Sequence, residues 1–173
     1  MIALMDALCA NASTLREVYL HDNWVKGEAV DGLVRFLLSA TKLERLNVSD
    51  STMGTSSAVL VVKALSENPA IHATLKSFSC NYNEVETYKA SRLILDTFLS
   101  DSFSSLEIVE YKGNSLGKKT ASEYIARYAE KGRKLVVFEE DEDLEDEEEE
   151  EEDDAEDGFD EDDIVAKLSK LKL

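Results

Sequence analysis

The chain has 173 residues, one proline, two cysteines and a formal net charge of −18. Of the 25 residues 139–163, 21 are Asp or Glu and none is basic, whereas residues 1–138 hold 16 acidic and 16 basic side chains, so a neutral body carries an acidic run. That balance disfavours direct nucleic-acid binding, because there is no basic stripe and the run repels phosphate.

The longest uncharged stretch, Ser51–Val62, is 12 residues, short of the roughly 20 needed to cross a bilayer; no membrane insertion is expected. Met1–Asp6 carries no basic residue and does not read as a secretory signal. Two cysteines make no disulfide framework.

In chain order, residues 1–12 read as the end of a helix, since Ala7-Leu8, Asn11 and Leu15 echo Ala64-Leu65, Asn68 and Leu75. The strand belonging to that helix is missing. This predicts further repeats upstream or another chain over this end, because solenoids need a cap.

A pattern L-x-x-L-x-L-x-x-N-x-L then recurs: Leu15, Val18, Leu20, Asn23, Val25; Leu43, Leu46, Val48, Ser51, Met53; Leu75, Phe78, Cys80, Asn83, Val85; and Leu106, Val109, Tyr111, Asn114, Leu116. A degenerate fifth copy is expected to start at Leu135, giving spacings of 28, 32, 31 and 29 residues. The L-x-L pair places two side chains on one face of a short strand. Asn at the strand's end can bond the backbone of its turn and of the neighbouring copy; only Ser51 breaks that ladder. Helix-spaced apolar residues follow each strand: Ala29–Leu38, Ala58–Leu65, Ala90–Phe98 and Ala121–Tyr128. One strand and one helix per repeat predict a leucine-rich-repeat α/β solenoid, with a parallel concave sheet and convex helices.

Whole-helix repeats of this length are typical of the ribonuclease-inhibitor type. With the acidic run, the chain resembles the Ran GTPase-activating protein family. Leu15-Arg16-Glu17-Val18-Tyr19-Leu20-His21-Asp22-Asn23 resembles that family's L-R-E-L-x-L-x-D-N, Asn81-Tyr82-Asn83-Glu84-Val85 its Q-Y-N-E-I, and Gly113-Asn114 its N-G-N. The alternative is a non-catalytic acidic leucine-rich-repeat protein of histone-binding or phosphatase-inhibitor type, whose repeats are shorter. The resemblance implies a regulator that binds a Ran-type small GTPase in nucleocytoplasmic transport, orders the GTPase's own glutamine and has no chemistry of its own. It also implies import factors as partners of the acidic run, and a cytoplasmic place, at the nuclear envelope or shuttling through the nucleus. The family's activating arginine and asparagine lie in earlier repeats than those matched here, so no catalytic residue carries over, and the chain reads as a C-terminal segment without the activating repeats. Oligomeric state is not legible.

Residues alternating with the core positions are expected on the concave face: Glu17, Tyr19, His21; Arg45, Asn47, Ser49; Ser77, Ser79, Asn81; Ile108, Glu110, Lys112. With Asp22 and Asp50 they form a candidate surface for a basic protein partner. No cofactor or metal is expected: His21, His72, Cys9 and Cys80 have no zinc spacing, there is no phosphate-binding loop, and Cys80 takes a core position as a small hydrophobe.

Three segments are expected: the solenoid at 1–138, a disordered acidic tail at 139–163, and a short amphipathic segment at 164–173. The acidic tail fails the EF-hand spacing. In the last segment Ile164, Leu168, Leu171 and Leu173 resemble a leucine-rich export signal, and a short amphipathic helix that docks back or binds nothing is the competing reading.

Overall fold

The computed structural model describes residues 1–138 and 160–172. The elements run α1 (Ile2–Ala10), β1 (Glu17–Tyr19), α2 (Glu28–Ser39), β2 (Arg45–Asn47), α3 (Thr55–Ser66), α4 (Pro69–His72), β3 (Ser77–Ser79), α5 (Tyr88–Leu99), β4 (Ile108–Glu110), α6 (Lys118–Glu130), β5 (Lys134–Val136) and α7 (Glu161–Leu171).

The strands pair in sequence order, β1-β2-β3-β4-β5, and every pairing is parallel. Each strand is three residues long, and its central residue (Val18, Leu46, Phe78, Val109 or Leu135) is buried. The partner of each L-x-L pair (Leu20, Val48, Cys80, Tyr111 or Val137) is buried just beyond the strand. The helices supply the other half of this core. In α2, Ala29, Val30, Leu33, Val34 and Leu37 form the apolar stripe of an amphipathic helix. Phe78, Phe98 and Phe103 fill the middle, with ring centroids 4.7 and 5.2 Å apart. The protein is therefore an α/β array with a five-stranded all-parallel sheet.

The Asn positions lock adjacent repeats. Asn114 Oδ1 accepts from the backbone N–H of Asn83 at 3.1 Å and of Val85 at 3.3 Å, and its Nδ2 donates to the carbonyl of Cys80 at 2.9 Å. Buried backbone donors beside a strand's end must find partners, and one amide side chain meets several of them.

Two expectations are corrected. Leu135 pairs with Val109, so it holds the second pattern position of the fifth copy. Gly132 then stands where Leu106 stands in the fourth. The first apolar anchor is missing, and Arg133 covers the gap: its guanidinium donates to the carbonyls of Phe98, Ser100 (3.1 Å) and Phe103 (2.8 Å).

The second correction concerns the end of the acidic run. Asp160 caps α7, its side chain accepting from Asp162 N–H at 2.9 Å, and Glu161, Asp162 and Asp163 form the first helical turn. Carboxylates at a helix N-terminus are stabilised by the macrodipole, so the last residues assigned to the disordered tail belong to the helix. The rest of that tail, 139–159, lies outside the described residues, as does Leu173. Proline does end a helical stretch as read, but Pro69 also opens α4, behind the Asn68 cap.

Candidate partner-binding surface

Parallel sheets are usually covered on both faces. Here the central strand residues face the helices, and the flanking residues of each strand form an open face. It carries Glu17, Tyr19, Arg45, Asn47, Ser77, Ser79, Ile108, Glu110, Lys134 and Val136.

Its β1–β2 end is an ionic cluster. Arg45 Nη1 reaches Glu17 Oε1 at 2.6 Å, and the Tyr19 hydroxyl donates to Glu17 Oε2 at 3.0 Å. The Tyr19 ring meets His21 edge-on, with centroids 6.5 Å apart. Glu17 accepting from the phenol and carrying negative charge beside it raises the Tyr19 pKa. The same carboxylate raises that of Arg45. Both groups keep their protons at neutral pH, so the cluster offers a phenol and a neutralised Glu–Arg pair. One position upstream, Glu44 takes Lys76 Nζ at 2.7 Å and also pairs with Arg16. The hydrogen bonds from Lys76 and Arg16 hold the Glu44 carboxyl below its ordinary range.

The middle of the face is more inward. Ser79 is buried and donates to Glu110. Asn47 Oδ1 accepts from Ser49 N–H at 2.9 Å, and Asn81 Oδ1 accepts from Lys112 N–H at 2.8 Å. These two asparagines serve the backbone more than the surface. Asp22 and Asp50 are exposed turn residues, with φ of 58° and 50°. Of the predicted residues, then, Glu17, Tyr19, His21 and Arg45 are brought together. Asp22 and Asp50 line the turns beside them, while Asn47, Asn81, Glu110 and Lys112 lie in the more hydrogen-bonded part.

Two aromatics were missed. Trp24 is 80% exposed, and Tyr82 is 45% exposed with its ring against Gly113. Trp24 fills the free x of the N-x-L step between Asn23 and Val25. A large aromatic at a position the pattern leaves to solvent was the available signal. Tyr19, Trp24 and Tyr82 thus give the strand-exit side of the first and third repeats exposed aromatic surface among carboxylates. Such surface suits a protein partner rather than a small molecule: Tyr and Trp dominate interface hot spots, and their faces attract cations. Among the described residues no group of three or more His, Cys, Asp or Glu side chains could hold a metal ion, and no helix is long and apolar enough to cross a membrane. Cys80 is fully buried, and burial pushes its thiol up to about 12, so it is no nucleophile at neutral pH.

No family model matches the chain, and no curated protein does. Among solved structures, one described as Leiomodin-1 Actin-Binding Site 2 superimposes with a TM-score of 0.59 at 14% identity, covering 96% of this chain and 84% of that one. The likeness is one of fold.

Proposed function

We propose that this chain is a leucine-rich-repeat solenoid of the ribonuclease-inhibitor type that binds a protein partner across its open sheet face and performs no covalent chemistry itself. The carrying observation is the Glu17–Tyr19–Arg45 cluster, flanked by the exposed Trp24 and the turn carboxylates Asp22 and Asp50. On the sequence resemblance, the partner is a Ran-type small GTPase and the role is that of a GTPase regulator in nucleocytoplasmic transport, acting in the cytoplasm, at the nuclear envelope or shuttling through the nucleus. The acidic run supports this reading as an electrostatic aid that speeds encounter with basic surfaces, import factors included.

No residue of this chain matches the family's activating arginine and asparagine, so the reading expects binding without acceleration. The test is single-turnover GTP hydrolysis by a Ran-type GTPase with this chain in excess, paired with equilibrium binding. Binding with unchanged hydrolysis supports the proposal. Acceleration would contradict the assignment of activating residues to other repeats. Binding to histones but not to the GTPase would favour the acidic leucine-rich interaction protein instead.

A further inference from the structure

The helix-covered side carries a feature the open face does not explain. The 32-residue register between β2 and β3, applied to the helices, sets Leu60 and Ala64 of α3 against Arg92 and Asp96 of α5. The 31-residue register of the next pair sets those against Glu123 and Arg127 of α6. Arg92, Asp96, Glu123 and Arg127 are all exposed, as outward helix positions normally are. Leu60 and Ala64 are apolar at the same positions and are buried.

Helix α7 covers them, lying against α2 and α3. It runs in the same direction as α3, with Asp160 and Asp163 beside Ser56 and Ser57 at one end and Lys172 paired to Glu67 at the other. Ile164 and Leu168 are buried, and Leu171 packs partly against the core. Lys167 meets Asp31 at 2.7 Å and Lys63 meets Glu161 at 2.7 Å. The apolar residues thus fall at i, i+4 and i+7, with pairing lysines at i+3 and i+8.

We propose that the α2–α3 surface is a helix-docking site, that α7 is its displaceable internal ligand, and that it accepts a lysine-bearing amphipathic helix of this same pattern from a partner protein. Three observations make α7 displaceable rather than a fixed part of the core. A half-open cleft of about 230 Å³ lies between the first turns of α7 and α3, with Ser56, Leu60, Asp163, Ile164 and Lys167 in its walls. The ion-paired side chains are all partly exposed, so salt weakens them. Twenty-one residues separate Phe138 from Asp160, enough at full extension to span up to about 70 Å, so chain length alone does not hold α7 in place.

The test uses full-length chain and a labelled peptide of residues 160–173. Linkage through the same chain holds α7 at an effective concentration on the order of 1 mM. A peptide that binds the bare site with a Kd of about 100 µM should therefore bind the wild type roughly tenfold more weakly. The full-length double variant Ile164→Asp/Leu168→Asp, with α7 released, should bind the peptide at the unhindered strength. Asp31→Lys in that background should weaken binding at least threefold, and a Lys167→Glu peptide should recover it. Equal binding to wild type and variant, or binding to neither, would overturn the proposal. As an independent check on unaltered protein, hydrogen exchange of residues 164–171 should quicken between 50 mM and 1 M salt while α2 and α3 stay protected. Salt-independent protection of α7 equal to that of α3 would mean a fixed core element and would also overturn it.

Discussion

Asn83 spans the boundary to the second repeat by accepting, at its Oδ1, the backbone N–H of Ser51 at 3.2 Å, while its Nδ2 donates to Val48 O at 2.8 Å. The same Oδ1 also faces Met53 N–H at 3.4 Å. Ser51 does part of this work toward the first repeat, its hydroxyl donating to Leu20 O at 3.1 Å. It is shorter than Asn and offers no amide oxygen for Asn23 N–H. The Val25 N–H there takes the Ser51 carbonyl instead, at 3.2 Å. Asn83→Ala strands several fully buried backbone groups and should cost about 2–4 kcal/mol in urea denaturation. Asn23→Ala touches only carbonyls of its own turn and should cost under about 1 kcal/mol.

Arg133 is the second stability test. It is 9% exposed and feeds three carbonyls at the end of α5 and the loop beyond. A cation also suits a helix C-terminus. Arg133→Met fills similar volume but leaves those carbonyls without the donor. It should destabilise by about 2–4 kcal/mol, loosening β5 and α6 first, as hydrogen exchange would report.

Close helix packing gives the third. A Cβ on Gly32 would sit 2.5 Å from Met5 Cβ, which belongs to α1. Gly32→Val therefore pushes α1 away from α2. The expected loss is about 1–3 kcal/mol, together with faster exchange of residues 2–10.

The pH dependence follows from buried acids. Burial raises the Cys80 thiol from 9.0 to about 12, and burial likewise raises the Tyr111 and Tyr128 phenols well above their usual range. The fold favours the protonated forms, so this stabilisation is complete below the unfolded pKa and is lost as pH rises through the folded one. Stability should be unaffected by these groups at pH 7–8 and should fall from about pH 9 upward, with the thiol contribution gone near pH 12. Cys80→Ala should flatten the first part of that decline. A thiol reagent at pH 8 should label Cys9 well before Cys80.

The repeat pattern made the strands, their order and the inward residues legible, because a period-2 pair and a helix stripe recurring together leave one way to stack. The fifth register was not legible. Leu135 satisfies the pattern at its first position as well as at its second, and only the pairing with Val109 decides. Docking of α7 was one reading beside an export signal and a helix that binds nothing, since its apolar spacing suits a helix with any partner. The clue that favours docking, Leu60 and Ala64 at outward positions, needs the strand register before it can be seen. The surface cluster of Glu17, Tyr19 and Arg45 was legible from alternation, whereas its hydrogen-bonded neighbours Asn47 and Asn81 were not, because their bonds run to backbone groups.

Engagement of the open sheet face by a protein partner can be read at the backbone amides of the strands. The direct measurement is hydrogen exchange of the full chain with and without a Ran-type GTPase in its GTP-analogue form. Exchange should slow in 17–24, 45–52 and 77–84 and change little in α2, α3 and α5, and Tyr19→Ala/Trp24→Ala should lose at least tenfold in affinity. Protection confined to the helices, or none at saturating partner, would contradict it.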